Sequence, residues 1–89
     1  MNLTILTPDR TLAKKIAVSS VGLTGDEGAI EILPGHMNMI GTIEPGIFSY
    51  QSAGSEKGAS GFISTGFFEV FNDEVYVVGE VLELREEID

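Results

Sequence analysis

The chain has 89 residues, enough for one small domain, and its 14 acidic and 5 basic side chains give a formal net charge of −9. Such an acidic surface repels phosphate backbones and anionic lipid headgroups, which disfavours nucleic-acid binding and direct membrane insertion. Cysteine is absent, so disulfides and thiolate metal sites are excluded.

Short apolar runs separated by turn residues predict an all-β fold. The 11 glycines are spread along the chain, and several of them mark turns between the runs. Strands recur about every 8–12 residues, the spacing of a β-sandwich, so we expect about ten strands in two packed sheets. In chain order the predicted strands are Leu3–Leu6, Ile16–Leu23, Ala29–Leu33, Met39–Ile43, Ile47–Ser52, Phe62–Thr65, Phe67–Phe71 and Glu74–Val78, with a hairpin loop at Ala53–Ala59.

The second predicted strand changes its side-chain phase partway along. Ile16 and Val18 share one phase, whereas Val21 and Leu23 share the other. Because side chains alternate with a period of two, a regular strand cannot bury both pairs on one face. We therefore expect a β-bulge or bend near Ser19-Ser20, which restores the inward phase.

The tail Val81–Asp89 fits two patterns. Leu82 and Leu84 alternate as in a strand, whereas Val81, Leu84 and Ile88 fit two turns of a helix, and both readings stay open. No linker, internal repeat or long apolar span divides the chain, and its start lacks the pattern of a signal peptide. We interpret residues 1–89 as one domain.

The residues that usually carry chemistry are sparse. The chain has a single histidine, His36, so a serine nucleophile has little prospect of an adjacent base. Asp26, Glu27 and Glu31 lie close in sequence, but their spacing does not match a calcium-binding loop. The turn Gly25–Gly28 lacks the lysine of a phosphate-binding loop. We expect no catalytic residue, no metal site and no cofactor.

The last strands carry apolar residues on both faces. In Phe67–Phe71, Phe68 and Val70 share one face, and Phe67 and Phe71 share the other. A sandwich strand usually has one wet face. The surplus predicts either strands covered by the rest of the chain or an apolar patch that docks a partner.

Four motifs follow one another along residues 3–80. They are Gly25–His36 for the pattern G-x-E-G-x-x-G-I-L-P-G-H, Pro45-Gly46, Ser64–Val70 for S-G-G-F-x-E-V, and Val75–Val77 for V-x-V. Together they resemble the N-terminal β-sandwich domain of the epsilon subunit of F-type ATP synthases. Glu31 and Thr65 stand where the family usually has glycine, and Met37-Asn38-Met39 replaces a small-proline-leucine run.

The resemblance implies a non-catalytic rotor subunit in the central stalk of a proton-translocating F-type ATP synthase. Such a subunit links the gamma subunit to the membrane c-ring and couples rotation to ATP synthesis, as a peripheral protein at the cytoplasmic face of the energy-transducing membrane, which is the inner membrane in bacteria. Most members continue into a C-terminal helical hairpin that restrains ATP hydrolysis and in some binds ATP. Because the sequence stops at Asp89, we expect that hairpin and its roles to be absent.

The resemblance also implies contact residues. Polar loops of the c-ring tend to be basic, so the acidic and glycine turns at one end are the expected ring contact, formed by Asp26, Glu27, Gly28, Glu31 and His36. For the gamma subunit we expect the outward phase of the apolar strands, with Met39 and Phe71 in it. The alternative is a free-standing β-sandwich module for a small ligand such as a carbohydrate, which the absence of tryptophan disfavours.

Overall fold

Nine β-strands form the secondary structure of residues 1–80 and 82–87, the part of the chain that this computed structural model describes. The predicted all-β fold is confirmed, with nine strands where about ten were expected. The strands are β1 Asn2–Thr7, β2 Arg10–Gly25, β3 Gly28–Ile32, β4 Met39–Ile43, β5 Gly46–Ser52, β6 Gly58–Ile63, β7 Gly66–Phe71, β8 Glu74–Gly79 and β9 Leu82–Glu87.

The long strand β2 belongs to both layers of the fold. Its residues 10–17 pair with β1, residues 18–22 pair with β5, and residues 21–25 pair with β3. The first layer therefore contains the start of β2, β1, β8, β7 and β4, and the second contains β3, the end of β2, β5, β6 and β9. Strands β1 and β8 run parallel, and β4 returns to β2 through the pair Ile43 and Gly25.

A β-bulge lies where β2 passes from one layer to the other. Val18 pairs with Ser52 and Ser20 pairs with Gln51, so one extra residue, Ser19, stands on the β2 side. As a result Val18 and Val21 are both buried, at 1% and 0% exposure. In a regular strand, residues three positions apart would face opposite sides of the sheet. The bulge predicted at this point is confirmed.

A second irregularity lies earlier in β2, opposite β1. Lys15 has a positive φ of 50°, and the pairing shifts register between Leu3 and Ile5. The backbone N–H of Lys15 donates to Thr4 Oγ1 at 3.1 Å, which gives that buried hydroxyl a partner. Because bulges increase local twist, this one bends the start of β2 along β1.

The core fills the space between the layers. Its largest fully buried side chains are Phe48 from the second layer and Phe68 from the first, surrounded by aliphatic residues. No buried side-chain nitrogen or oxygen in residues 1–80 and 82–87 lacks a hydrogen-bond partner. The core positions are Leu3, Ile5, Val18, Val21, Leu23, Ile32, Ile43, Phe48, Ile63, Phe68, Val70, Val75 and Val77.

The tail is a strand over the residues that can be described. β9 pairs antiparallel with β6, from Leu82 opposite Ile63 to Glu87 opposite Gly58. Of the two patterns in the sequence, alternation is therefore the one adopted by residues 82–87. Val81 and Ile88, on which the helical alternative depended, lie outside the described residues.

Candidate docking faces

The outer face of the first layer exposes several large apolar side chains. On β7, burial alternates: Phe68 and Val70 enter the core, whereas Phe67 and Phe71 are 50% and 54% exposed. Ile40 on the neighbouring strand β4 is 70% exposed. Cross-strand pairing adds Glu69 and Tyr76 to this face. Glu69 on β7 is paired with outward-facing Ile40 on β4 and with Tyr76 on β8. We call Ile40, Phe67, Glu69, Phe71 and Tyr76 the β7 patch.

The two residues expected to contact a gamma subunit fall on different sides of the first layer. Phe71 faces outward as predicted. The outward phase assigned to Met39 is wrong, because Met39 is half-buried and packs against the core, in phase with buried Ile43. Ile40 takes the outward position instead. The sequence contains a sign of this orientation: Thr42 lies two residues after Ile40 on the same strand face, and its polar side chain indicates that this face is exposed to solvent. Contact of Phe71 with a gamma subunit stays a prediction.

The outer face of the second layer carries a smaller apolar pair that the sequence did not single out. Ile47 on β5 and Phe62 on β6 lie directly opposite each other and are 66% and 47% exposed. Glu83 on β9 lies opposite Phe62 on its other side and is exposed. Ile47 and Phe62 each lie next to a buried residue on the same strand, Phe48 and Ile63. The alternation of side chains along a strand could therefore have predicted that Ile47 and Phe62 face outward.

The five residues expected at a c-ring contact do not lie at one end of the domain. Asp26 and Glu27 form the β2–β3 turn, next to Gly28, whose φ is 120°. His36 lies in the β3–β4 loop, at the other end of β3. A strand of 5 residues is about 17 Å long, so the two turns are far apart. The expectation that both belong to one end is therefore wrong in its geometry.

Glu31 lies on β3 between these two turns. It pairs with Gly22, is exposed, and has no positive φ although the family usually has glycine there. An extended, solvent-facing glutamate costs little at such a position.

The end of the domain that holds the β2–β3 turn is acidic. The turns that follow β4, precede β7 and follow β8 lie at the same end as the β2–β3 turn. This follows from the pairing of Gly25 with Ile43, of Ile43 with Gly66, and of Gly66 with Gly79. The parallel pairing of β1 with β8 adds the β1–β2 turn, which also carries Arg10. We call the exposed acids of these turns the acidic end, namely Asp9, Asp26, Glu27, Glu44 and Glu80.

Backbone hydrogen bonds hold parts of the acidic end in place. Glu44 N–H donates to the carbonyl of Thr24 at 2.8 Å, and Glu80 N–H donates to the carbonyl of Thr65 at 3.1 Å. Thr65 Oγ1 also donates to Glu80 Oε2 at 3.3 Å. Within residues 1–80 and 82–87, no three acidic or histidine side chains are arranged to hold a metal ion. The acids therefore form a charged surface without a metal-binding geometry.

The opposite end is organised around the β3–β4 loop. Gly35 N–H donates to Asp73 Oδ1 at 2.8 Å, and Asn72 N–H donates to Asn38 Oδ1 at 2.9 Å, which ties this loop to the β7–β8 turn. His36 is half-buried, and its Nδ1 lies 2.7 Å from the carbonyl oxygen of Met37. The ring of His36 is thus engaged within its own loop.

A shallow cavity of about 150 Å³ opens between the β5–β6 hairpin and β2. Its lining is dominated by serines and other polar groups, and its aromatic member, Tyr50, packs against the core. A carbohydrate groove usually presents exposed aromatic faces. The lining residues are Ser20, Ser49, Tyr50, Gln51, Glu56, Gly58, Ala59 and Ser60.

Among the described residues, the structure contains no helix suited to crossing a bilayer.

Comparison with known sequences identifies one family. Residues 1–85 match the family described as ATP synthase, Delta/Epsilon chain, beta-sandwich domain. The ATP synthase epsilon chains of Bdellovibrio bacteriovorus and Lawsonia intracellularis are 35% and 38% identical to this chain over 89 residues. Both alignments include the whole of this chain, which spans 64% and 65% of the length of these two relatives.

Solved structures agree with the sequence match. A chain in the OSCP/F1/c-ring structure of Euglena gracilis mitochondrial ATP synthase superposes with a TM-score of 0.85 at 27% identity, covering 100% of this chain and 56% of that one. A chain in the central stalk/c-ring structure of Tetrahymena thermophila mitochondrial ATP synthase has a TM-score of 0.77 over 93% of this chain and 65% of its own length. At 14% identity the second likeness concerns the fold alone. This chain therefore belongs to the β-sandwich domain family of the ATP synthase delta and epsilon chains.

Proposed function

We propose that this domain is a non-catalytic part of the rotor of a proton-translocating F-type ATP synthase. In this proposal the β7 patch binds the gamma subunit, the acidic end faces the polar loops of the c-ring, and the domain performs no chemical step. It is held at the cytoplasmic face of the membrane through its protein partners. The observation that carries the proposal is the β7 patch, found on a chain of this family.

The composition of the β7 patch suits a permanent protein partner. Ile40, Phe67 and Phe71 are each at least half exposed and lie on adjacent strands of one sheet face. Permanent interfaces are apolar at their centre, and aromatic residues are enriched there. With a net charge of −9, apolar burial also explains binding to a large partner better than general charge attraction does.

The acidic end supports the second contact. Its five acids, of which Asp26 and Glu27 project from a two-residue turn, complement basic loops on a ring. Solvent-exposed ion pairs contribute about 0–1 kcal/mol each and act more on the rate of association than on affinity. We therefore propose Asp26, Glu27 and Gly28 for the ring contact, whereas His36 lies too far away to join them.

Two exposed isoleucines provide a matched test of the gamma contact. Ile40 and Ile47 are 70% and 66% exposed but lie on the outer faces of different layers. We expect Ile40→Ser to weaken binding of the purified gamma subunit of the same complex by about tenfold or more, because it removes a large apolar contact of the β7 patch. Ile47→Ser should leave the affinity within about twofold. Titration calorimetry with both variants measures the difference.

The outcomes of this titration separate the faces. A loss caused by Ile47→Ser but not by Ile40→Ser would place gamma on the second layer and overturn the assignment of the β7 patch. A wild-type domain that does not bind gamma would overturn the proposed function itself. Melting curves of both variants verify that the fold is intact.

A further inference from the structure

A carboxylate stands in the middle of the β7 patch. Phe67 and Phe71 lie two residues before and after Glu69 on the same strand face, about 7 Å away along β7. Ile40 and Tyr76 are directly opposite Glu69 on the two neighbouring strands. Large side chains therefore surround Glu69 on four sides.

Glu69 has no partner of its own in the described part of the chain. Its side chain makes no hydrogen bond or ion pair with residues 1–80 or 82–87. Glu74, which pairs with Phe71 nearby, differs in this respect, because its Oε2 accepts a hydrogen bond from Asn2 Nδ2 at 2.9 Å. Both oxygens of Glu69 are thus available to a group from outside.

A partner that covers the patch removes water from around Glu69. Burial of an ionised carboxylate is strongly unfavourable unless an opposite charge or hydrogen-bond donors replace the lost water. Ile40, Phe67 and Phe71 have no side-chain donors, and the hydroxyl of Tyr76, the remaining neighbour, makes no hydrogen bond to Glu69. The compensation must therefore come from the partner.

We infer that the gamma subunit presents an arginine to Glu69, within an otherwise apolar surface; this inference rests on the proposed function. A guanidinium suits the place better than an ammonium for two reasons. Its fork of donors matches two free carboxylate oxygens, and its flat face packs against aromatic rings such as those of Phe67 and Phe71. The pair sets the register between the two surfaces, since an unmatched charge on either side opposes binding.

Replacing Glu69 by leucine tests the inference through the direction of the effect. If an arginine lies opposite, Glu69→Leu leaves that charge buried and unpaired, and we expect gamma binding to weaken by about a hundredfold. Glu69→Gln, which keeps the shape, should weaken binding by about tenfold. If no cation lies opposite, leucine enlarges the apolar patch and tightens binding, which would overturn the inference. Calorimetry with purified gamma subunit measures all three proteins.

Glu83 supplies the matched control. It is also an exposed strand glutamate beside an exposed phenylalanine, Phe62, but it lies on the second layer. Glu83→Leu makes the same change in net charge and should alter gamma affinity by less than about twofold. An equal loss for Glu83→Leu and Glu69→Leu would indicate a general charge effect and contradict the pairing.

Rescue identifies the partner residue. Glu69→Lys should abolish binding to wild-type gamma, and reversal of one gamma arginine to glutamate should restore at least about a tenth of the affinity. Failure of every single arginine reversal to restore binding overturns the inference while leaving the proposed function in place. Failure of the unaltered domain to bind gamma rejects the proposed function first.

Discussion

At the scale of single residues, two phenylalanines on one strand have opposite environments. Phe68 is 1% exposed in the core, and Phe71 is 54% exposed on the outer face of β7. We expect Phe68→Ala to lower the free energy of unfolding by about 3–5 kcal/mol, because it leaves a cavity. Phe71→Ala should lower it by less than about 1 kcal/mol. Urea denaturation of the isolated domain measures both values.

The same pair of variants checks the outward assignment of Phe71. A loss of stability for Phe71→Ala as large as that for Phe68→Ala would place Phe71 in the core and remove it from the β7 patch. With the fold intact, the Phe71→Ala variant can be titrated with gamma alongside Ile40→Ser.

At the scale of elements, the β7–β8 turn both reverses the chain and anchors a loop. Asn72 and Asp73 have φ values of 49° and 63°, the conformation of tight two-residue hairpin turns. The carboxylate of Asp73 also accepts the N–H of Gly35 in the β3–β4 loop. We expect Asp73→Gly to keep the turn, since glycine favours this position, while the Gly35 amide exchanges about tenfold faster or more. Amide hydrogen exchange measures the effect.

Asp73→Asn is the control for this turn. Asparagine tolerates positive φ and retains an oxygen that can accept the Gly35 N–H. Exchange at Gly35 should then stay close to that of the wild-type domain. Identical exchange rates in the glycine and asparagine variants would show that the carboxylate does not hold the loop.

At the scale of the whole molecule, acidic residues stand at both ends of the domain, so a local contact must be distinguished from a general effect of charge. Glu27 projects from the acidic end, whereas Glu56 is an exposed acid in the hairpin at the opposite end. We expect Glu27→Lys to lower proton pumping by the assembled complex modestly, and more at low salt, because exposed pairs are weak and screened over about 10 Å at 0.1 M salt. Glu56→Lys makes the same charge change. Equal losses from both variants would exclude a local ring contact at Glu27.

Much of the fold could be predicted from the sequence because strands and turns are local patterns. The range Met39–Ile43 was predicted with its observed ends, and the phase change between Val18 and Val21 predicted the bulge at Ser19. The start of β2 was not found. Its residues 10–15 are mostly polar and exposed, and they form a strand by pairing with β1.

The outward apolar face of β4 and β7 was predicted only in part. The sequence singled out Phe71, but it did not distinguish which phase of β4 faces the core, because Met39 and Ile40 are both apolar. Glu69 belongs to one of the recognised motifs, yet its apolar surroundings come from Ile40 and Tyr76, which lie on other strands. A local pattern cannot supply neighbours that are distant in sequence.

Gly66 shows what the sequence reveals about a residue and what only the structure reveals. The motif Ser64–Val70 identified it as a family position, and this required only the order of residues along the chain. The reason for glycine appears in the structure, where a Cβ at this position would overlap the carbonyl oxygen of Val78 on β8. That contact depends on the pairing of β7 with β8.

The sequence by itself determined the family and the succession of strands and turns, since motif order and the two-residue period need no knowledge of distant contacts. The tertiary structure decided which apolar phase is buried and which turns share an end. Asp26 and His36 lie ten positions apart in sequence, yet β3 separates them, while pairing brings Asp26 and Glu44 to the same end. The physical reason is that the faces and ends of a sheet are defined by hydrogen bonds between strands distant in sequence.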